Sequence, residues 1–121
     1  MAETQITKPY DLEERTFKFA QAGIAFIKKL PRTISNIEIS KQLVRAAESV
    51  GANYIEANEA LGKKDFLLHT RISRKEAKES RYWLRLAEIN DVDMENERQT
   101  LAKESQELMN IFGSIVRKTE A

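Results

Sequence analysis

One stretch, residues 65–89 (DFLLHTRISRKEAKESRYWLRLAEI), constrains the fold most, because its apolar residues and its charges both repeat at helical spacing. Side chains three and four residues apart lie on one face of an α-helix. The pattern predicts an apolar face, and its four residues are Leu68, Ile72, Trp83 and Leu86. Glu79 projects from the middle of this face. We therefore expect one long helix that packs against other helices of a bundle.

The cations of the same stretch repeat at intervals of 3, 4, 3 and 4 residues, which predicts a second helix face. This basic stripe consists of Arg71, Arg74, Lys78, Arg81 and Arg85. At a rise of 1.5 Å per residue the stripe is roughly 21 Å long. Arginine suits bidentate contacts to phosphate, so the basic stripe predicts binding of nucleic acid that lacks sequence selectivity and weakens with salt.

The basic stripe also has a simpler interpretation, which is a solvated helix face. Alternatively, its charge is neutralised by acids of the fourth helix or of another subunit. The acids of the fourth helix in question are Glu97, Glu104 and Glu107. Oligomerisation would favour binding, because one stripe repeated around a ring becomes an extended positive surface.

Length and composition fit a single helical domain. The chain has 121 residues, of which 41% are hydrophobic and 32% are charged. The net charge is only +1, so any binding of nucleic acid must come from a local patch. The absence of cysteine excludes disulfides and thiolate metal sites. No apolar run approaches the ~20 residues of a membrane span, and the polar start of the chain lacks the apolar segment of a signal peptide. We expect a cytoplasmic protein without membrane contact, whose residues 1–9 are flexible.

Capping and breaking residues divide residues 10–118 into four predicted helices, at about 11–30, 36–61, 65–90 and 93–118. Pro31 stops the first helix, and Gly62 is interpreted as the C-cap of the second. The expected N-caps are Asp11, Asn36 or Ser35, Asp65 and Asp93. Because the connections are short and no strand pattern occurs, we predict an all-α fold, an antiparallel up-down-up-down four-helix bundle.

Two adjacent apolar rows run along the first helix, which is one row more than a surface helix needs. One row contains Phe17, Ala20, Ile24 and Ile27, and the other contains Leu12, Phe19, Phe26 and Leu30. Either this helix is wedged between two others of its own bundle, or one row forms a subunit interface. On the second helix, Gly51 costs ~1 kcal/mol relative to alanine, which indicates that another helix approaches it closely.

Antiparallel helices place residues that are equidistant from a turn at the same height. This geometry predicts one polar layer inside the bundle, made of Arg15, Asn53, Glu56, Lys75, Glu76 and Glu79. Its structural interpretation is a hydrogen-bonded charge cluster that fixes the register of the helices. The alternatives are a carboxylate site for metal or acid–base chemistry, and plain solvent exposure.

Residue types that an enzyme or a metal centre would need are missing. A di-iron bundle requires Glu-x-x-His on two helices, but the only histidine is His69 and Phe66 stands three residues before it. His69 is therefore interpreted as a surface residue. The sequence also lacks a Gly-x-Ser-x-Gly motif and a glycine-rich phosphate loop. We expect no catalytic residue, no bound metal and no cofactor.

Three segments together, DLEERT, QLVRAAESVGANYIEANEALGKKDF and ISRKEAKESRYWL, resemble the bacterial four-helix bundle protein family. This family is known from proteins encoded in intervening sequences of 23S ribosomal RNA genes. It is also similar to the accessory variability proteins of diversity-generating retroelements. The resemblance covers about residues 10–116. Its motif combines Asn53-x-x-Glu56-Ala57 with Asp65-Phe66, Lys75-Glu76, Glu79 and Tyr82-Trp83-Leu84.

The resemblance implies a homo-oligomer, in the form of a homopentameric barrel. For the retroelement relatives it implies a basic surface that binds nucleic acid and a reverse transcriptase. The polar positions that the family shares correspond to Asn53, Glu56, Lys75 and Glu79. We therefore predict a non-enzymatic homo-oligomer that binds RNA or DNA through the basic stripe, as an accessory factor to an enzyme such as a reverse transcriptase. The alternative is a scaffold that docks a partner protein through an apolar row of the first helix.

Overall fold

The computed structural model describes residues 9–121, with side chains from residue 11 onward, as four helices without a strand. These are α1 (Pro9–Lys29), α2 (Ile34–Asn58), α3 (Lys63–Leu86) and α4 (Val92–Glu120). α2 packs against α3, α3 against α4, and α1 against both α2 and α4. The all-α fold of four helices is therefore confirmed. The predicted flexible N-terminus falls mostly on residues 1–8, outside the described residues, whereas Pro9 already begins α1.

α2 begins two residues and α4 one residue earlier than predicted, because other side chains cap them. Thr33 accepts a hydrogen bond from the Asn36 N–H at 3.1 Å. Asp91 accepts one from the Met94 N–H at 2.8 Å. Each cap satisfies a backbone donor three residues along the chain, which is the geometry that an N-cap requires. The predicted caps at positions 35, 36 and 93 are therefore wrong.

The connection between α2 and α3 also differs from the prediction. α2 ends at Asn58, and Gly62 precedes the first residue of α3 with an extended backbone. The prediction of Gly62 as the C-cap of α2 is therefore wrong. Asp65 lies in the first turn of α3, where a carboxylate suits the helix dipole, and does not cap it. α3 ends at Leu86, about four residues before the predicted end.

The core lies between all four helices and contains one complete row of α1. Phe26 and Phe112 are fully buried, and Phe112 lies with its ring 5.6 Å from that of Tyr54. Burial of each such ring contributes about 1.5–3 kcal/mol. The other large buried side chains include Leu12, Phe19, Leu30, Leu43, Val50, Leu84, Leu101 and Leu108.

The apolar face predicted for the third helix is only partly buried, since Trp83 packs against the core and Ile72 is half-buried. Leu68 is 51% exposed and Leu86 is 46% exposed. Four of the seven buried residues of α3 are small, namely Thr70, Ser73, Ala77 and Ser80. The other three are Leu67, Glu76 and Leu84. The hydroxyls are satisfied by backbone oxygens, as in the 2.9 Å bond from Ser73 to Val50. Small residues with internal hydrogen bonds therefore allow α3 to pack closely between its neighbours. The large apolar residues Leu68 and Leu86 lie on its outer face instead.

The second row of α1 lies at the surface. Phe17 is 57% exposed and lines a groove of about 330 Å3 between α1 and α2, together with Ile24 and Ile55. The other row is buried, including Phe19 and Phe26. The two rows therefore differ in burial. One lies in the core, and the other is exposed at Phe17 and half-buried at Ala20, Ile24 and Ile27.

Gly51 lies where α1 crosses α2, which confirms the predicted close approach. A Cβ on Gly51 would meet Thr16 Oγ1 at 2.9 Å and Thr16 Cβ at 3.2 Å. A Cβ on Gly23 would meet only Ala47 Cβ, at an ordinary 3.5 Å. The structure therefore tolerates a methyl group at position 23 and not at position 51.

This contrast gives a matched pair of variants. We expect Gly51→Ala to lower the free energy of unfolding by about 1 kcal/mol, because overpacking outweighs the gain in helix propensity. Gly23→Ala should raise it by about 0.5–1 kcal/mol, because only the propensity changes. Urea unfolding of the two variants measures both effects. Equal effects would show that the crossing is not tight.

Asn36 joins the loop between α1 and α2 to the loop between α3 and α4. Its Nδ2 donates to the backbone oxygens of Pro31 at 2.9 Å and Glu88 at 3.0 Å. Its Oδ1 accepts from the Glu88 N–H at 2.9 Å. Asn36 is only 2% exposed, so one buried amide satisfies three backbone groups of the two loops.

Candidate nucleic-acid interface

The basic stripe runs along the side of α3 that borders α4. Arg71, Arg74, Lys78 and Arg85 are exposed, and Arg81 is half-buried. Their common face is a consequence of helical spacing, since α3 continues without a break from Lys63 to Leu86. The structure therefore brings the five predicted residues together as one surface.

Three acids of α4, Glu97, Glu104 and Glu107, do not neutralise this surface, because they pair with cations of α1. Arg15 binds Glu104 at 2.6 Å and Glu107 at 2.7 Å. Lys29 binds Glu97 at 2.6 Å. The hydrogen bond with Glu104 raises the pKa of Arg15, although burial opposes it. The interpretation in which Glu97, Glu104 and Glu107 neutralise the basic stripe is therefore wrong.

Only Arg71 of the basic stripe has an ion-pair partner among residues 11–121. It pairs with Glu120 near the end of α4. Within the same residues, no carboxylate oxygen lies within 4.0 Å of the side-chain nitrogens of the other four cations. These four are Arg74, Lys78, Arg81 and Arg85. An exposed row of unpaired cations is therefore available to an external anion.

A further cation of α4, Arg98, lies beyond the stripe and has a structural role. Its Nη1 donates to three backbone oxygens at the end of α3, those of Leu84 (3.2 Å), Arg85 (3.1 Å) and Ala87 (2.7 Å). A cation suits a helix C-terminus, where the carbonyl groups are otherwise unsatisfied. Its bond to Glu95 lowers the pKa of that carboxyl group. Arg98 therefore stabilises the end of the helix that carries the stripe.

The predicted polar layer does not form as one cluster. Arg15 of α1 pairs with Glu104 and Glu107 of α4, and neither acid belongs to the predicted layer. Asn53 donates to Ser49 and lies 3.1 Å from the Nδ1 atom of His69. Glu56 and Lys75 are exposed. The layer was predicted from height along the bundle alone, and height does not say which side of a helix faces a neighbour.

Two members of the predicted layer do come together, and they share a cation that sequence reasoning missed. Arg45 of α2 binds Glu79 at 3.1 Å and Glu76 at 3.6 Å. Glu76 is 5% exposed, so this contact compensates a carboxylate that is nearly buried. Equidistance from the turn pairs Arg45 with about residue 81, and only the length of the arginine side chain brings its charge to the two acids.

No metal site is formed by the described residues. Among them, no three side chains of the histidine, aspartate or glutamate type are close enough together to hold an ion. His69 lies between Asn53 and Asp65, whose carboxylate is 3.6 Å from Nε2. Glu76 and Glu79 face Arg45 instead of a third acid. The described part of the chain also has no helix that is long and apolar enough to cross a membrane.

The fold has a counterpart among solved structures. The chain is similar to a protein of unknown function from the S23 ribosomal protein family of Bacteroides thetaiotaomicron, with a TM-score of 0.76 and 27% sequence identity. The similarity covers 92% of this chain and 99% of that protein. No curated protein matches the chain.

The sequence itself matches a family described as 23S rRNA-intervening sequence protein over residues 9–114. This range includes all of α1, α2 and α3 and most of α4. The family that the sequence motifs resemble is thereby confirmed, and the chain belongs to the 23S rRNA-intervening sequence protein family.

Proposed function

We propose that the protein is a non-enzymatic, homo-oligomeric bundle of antiparallel helices that binds RNA or DNA through the basic stripe of α3. One observation supports this proposal above all. Four cations, three of them exposed and one half-buried, lie on one helix face without a carboxylate partner among residues 11–121. Glu97, Glu104 and Glu107 of α4 pair with cations of α1 instead. A chain with a net charge of only +1 thereby concentrates positive charge on one surface.

The dimensions of the basic stripe suit a nucleic-acid backbone. Phosphates of one B-DNA strand follow each other every 3.4 Å along the axis, so a stripe of roughly 21 Å spans about six of them. Three of its four unpaired cations are arginines, which contact phosphate oxygens in pairs. A straight row of phosphate contacts positions a strand without identifying its bases. We therefore expect binding that depends little on base sequence.

Two observations support the antiparallel order of the helices within this proposal. Asn36 at the start of α2 bonds to Glu88 just after the end of α3. Asn58 at the end of α2 donates to the Glu13 carboxylate near the start of α1 at 2.7 Å. Both contacts join opposite ends of neighbouring helices.

Self-assembly is proposed because apolar side chains remain exposed on two different sides. One is the groove between α1 and α2 that Phe17 lines, and the other is the outer face of α3 with Leu68 and Leu86. A ring with head-to-tail contacts needs two such distinct surfaces on each subunit. A homopentameric barrel, and an accessory role beside an enzyme such as a reverse transcriptase, remain predictions from the family resemblance.

The groove that Phe17 lines also supports the second candidate, a scaffold that docks a partner protein. A charged residue introduced into an apolar row of α1 distinguishes the scaffold from self-assembly. Phe19 and Phe26 are unsuitable positions for this change, because both are buried. Phe17→Glu changes the exposed row alone. Loss of self-association in this variant favours the subunit interface, and unchanged association favours the scaffold.

Salt dependence tests the proposed binding. Four phosphate contacts predict that the logarithm of the binding constant for a single-stranded 20-nucleotide DNA or RNA falls with log salt at a slope of about −3 per protomer. Fluorescence anisotropy of a labelled oligonucleotide between low and moderate salt measures this slope. The absence of binding at low salt, or a slope near zero, would contradict the proposal.

Removal of Glu120 should strengthen binding. Glu120 forms an ion pair with Arg71, so Glu120→Gln makes a fifth cation of the basic stripe available to phosphate. We expect the slope against log salt to become steeper by about 0.7, the value for one additional phosphate contact. Glu107→Gln removes a charge on the α1 side of α4 and serves as the control. An equal gain from both variants would show a general charge effect instead.

A further inference from the structure

Arg117 on α4 lies beside the basic stripe and was not singled out by the sequence pattern of α3. Arg117 and Arg74 of α3 both extend over Gly113. The Nη1 atoms of the two arginines lie 3.3 Å and 4.0 Å from one point, the position that a Cβ on Gly113 would occupy. Two guanidinium groups from different helices therefore converge on the same small region of the groove between α3 and α4.

This convergence leaves positive charge without an internal counterion. Neither Arg74 nor Arg117 has a carboxylate oxygen within 4.0 Å among residues 11–121. Glu120, three residues after Arg117, pairs with Arg71 instead. Two like charges held this close repel each other, and an anion between them relieves that repulsion.

The neighbouring surface of α4 carries amides instead of acids. Gln106, Asn110, Gly113 and Arg117 follow each other at intervals of 4, 3 and 4 residues, so they share one side of the helix. Gln106 donates to Asn110 at 3.1 Å, and both side chains can also bond an external phosphate oxygen. The side of α4 that continues from Gly113 therefore adds neutral polar groups to the cationic face of α3.

Gly113 makes room for this arrangement. A glycine inside a helix costs about 1 kcal/mol relative to alanine, yet Gly113 is buried within α4. A Cβ there would lie at an ordinary contact distance of 3.8 Å from Arg74 Cδ, but only 3.3 Å from Arg117 Nη1. The absence of a side chain at position 113 thus gives the Arg117 guanidinium group room beside Arg74.

From these contacts we propose that Arg74 and Arg117 bind one phosphate group together, over Gly113, and that α4 is thereby a second part of the nucleic-acid interface. Charge-assisted N–H···O bonds of about 2.7–2.9 Å from two guanidinium groups can reach two oxygens of a single phosphate. This inference rests on the proposed function, because the phosphate is one of the backbone phosphates of the strand bound by the basic stripe. It adds an anchoring point that fixes the strand relative to the groove.

The test compares Arg74→Gln, Arg117→Gln and the double variant in binding to a labelled single-stranded 20-nucleotide DNA. If both arginines hold the same phosphate, each single variant weakens binding, and the double variant is only slightly weaker than either one. The magnitude of the salt slope then falls by about 0.7 in the double variant, which corresponds to the loss of one phosphate contact. The loss of two contacts would lower it by about 1.4. Additive losses with a fall of about 1.4 would show two separate phosphates and overturn the shared site.

Three further variants separate this proposal from a loss of folding or of charge alone. Lys118→Gln removes the exposed charge next to Arg117 and should leave affinity nearly unchanged. Gly113→Ala adds a methyl group 3.3 Å from Arg117 Nη1, so we expect lower affinity with unfolding stability that is equal or higher. Gly23→Ala is the matched glycine change elsewhere. If Arg117→Gln behaves like Lys118→Gln while charge reversal in the stripe abolishes binding, the shared site is wrong and the stripe remains.

Discussion

Glutamate at positions 74, 78 and 81 is expected to weaken the binding of single-stranded oligonucleotide at least 100-fold at about 0.1 M salt. The triple variant Arg74→Glu, Lys78→Glu and Arg81→Glu removes three of the four unpaired cations and places three anions beside the phosphates. A 100-fold loss corresponds to about 2.7 kcal/mol, less than 1 kcal/mol for each reversed charge. The salt slope should fall from about −3 to about −1, since one of the four contacts remains.

A control with the same change in net charge separates local from general electrostatics. Lys18, Lys41 and Lys103 are exposed on α1, α2 and α4, and none belongs to the basic stripe. The triple lysine-to-glutamate variant at these positions should lose less than 10-fold in affinity, through the weakened overall field alone. Equal losses in the two triple variants would show that the protein attracts nucleic acid through its total charge and not through α3.

Asn36→Ala is expected to lower the free energy of unfolding by about 3 kcal/mol. The substitution removes the Asn36 amide from three partly buried hydrogen bonds, to the oxygens of Pro31 and Glu88 and from the N–H of Glu88. A buried polar group that loses its hydrogen bond costs about 1–3 kcal/mol, and water that enters the site offsets part of this sum. Chemical denaturation followed by circular dichroism measures the loss.

Asn58→Ala is the matched control for this prediction. The Asn58 amide also bonds across helices, to the Glu13 carboxylate at 2.7 Å, but both side chains are exposed. The Asn58 side chain also hydrogen-bonds to Tyr54. Because Asn58 is exposed and water can replace its bonds, we expect a loss of no more than about 1 kcal/mol. If Asn36→Ala is as mild as Asn58→Ala, the junction between the two loops does not stabilise the fold.

The basic stripe could be predicted from the sequence because its residues lie on one continuous helix. Helical spacing relates Arg71 to Arg85 whatever the neighbouring helices do, so α3 alone determines their common face. The pairing of Glu104 and Glu107 with Arg15 could not be predicted in this way, because it depends on how α4 is rotated about its axis. Rotation is determined by packing, and packing involves all four helices at once.

The buried face of α3 shows a second limit of sequence patterns. Leu68 and Leu86 are large and apolar and yet exposed, while Ser73 and Ser80 are fully buried. A hydroxyl that bonds a backbone oxygen loses little on burial, and a small side chain allows close packing. Hydrophobic periodicity therefore identified α3 as a helix but missed the small polar residues of its buried face, and of the predicted apolar face only Trp83 packs against the core. The exposed leucines support the proposed self-assembly, because exposed apolar patches mark interaction surfaces.

Light scattering coupled to size exclusion, with absorbance at 260 and 280 nm, tests the proposed oligomeric nucleic-acid binder most directly. The pure protein should elute at low salt with a mass near five times the 13.9 kDa of one chain, together with nucleic acid that high salt removes. The particle should keep its five-subunit mass at high salt, because apolar contacts hold it together. A monomer that carries no nucleic acid at either salt concentration would contradict both the assembly and the binding.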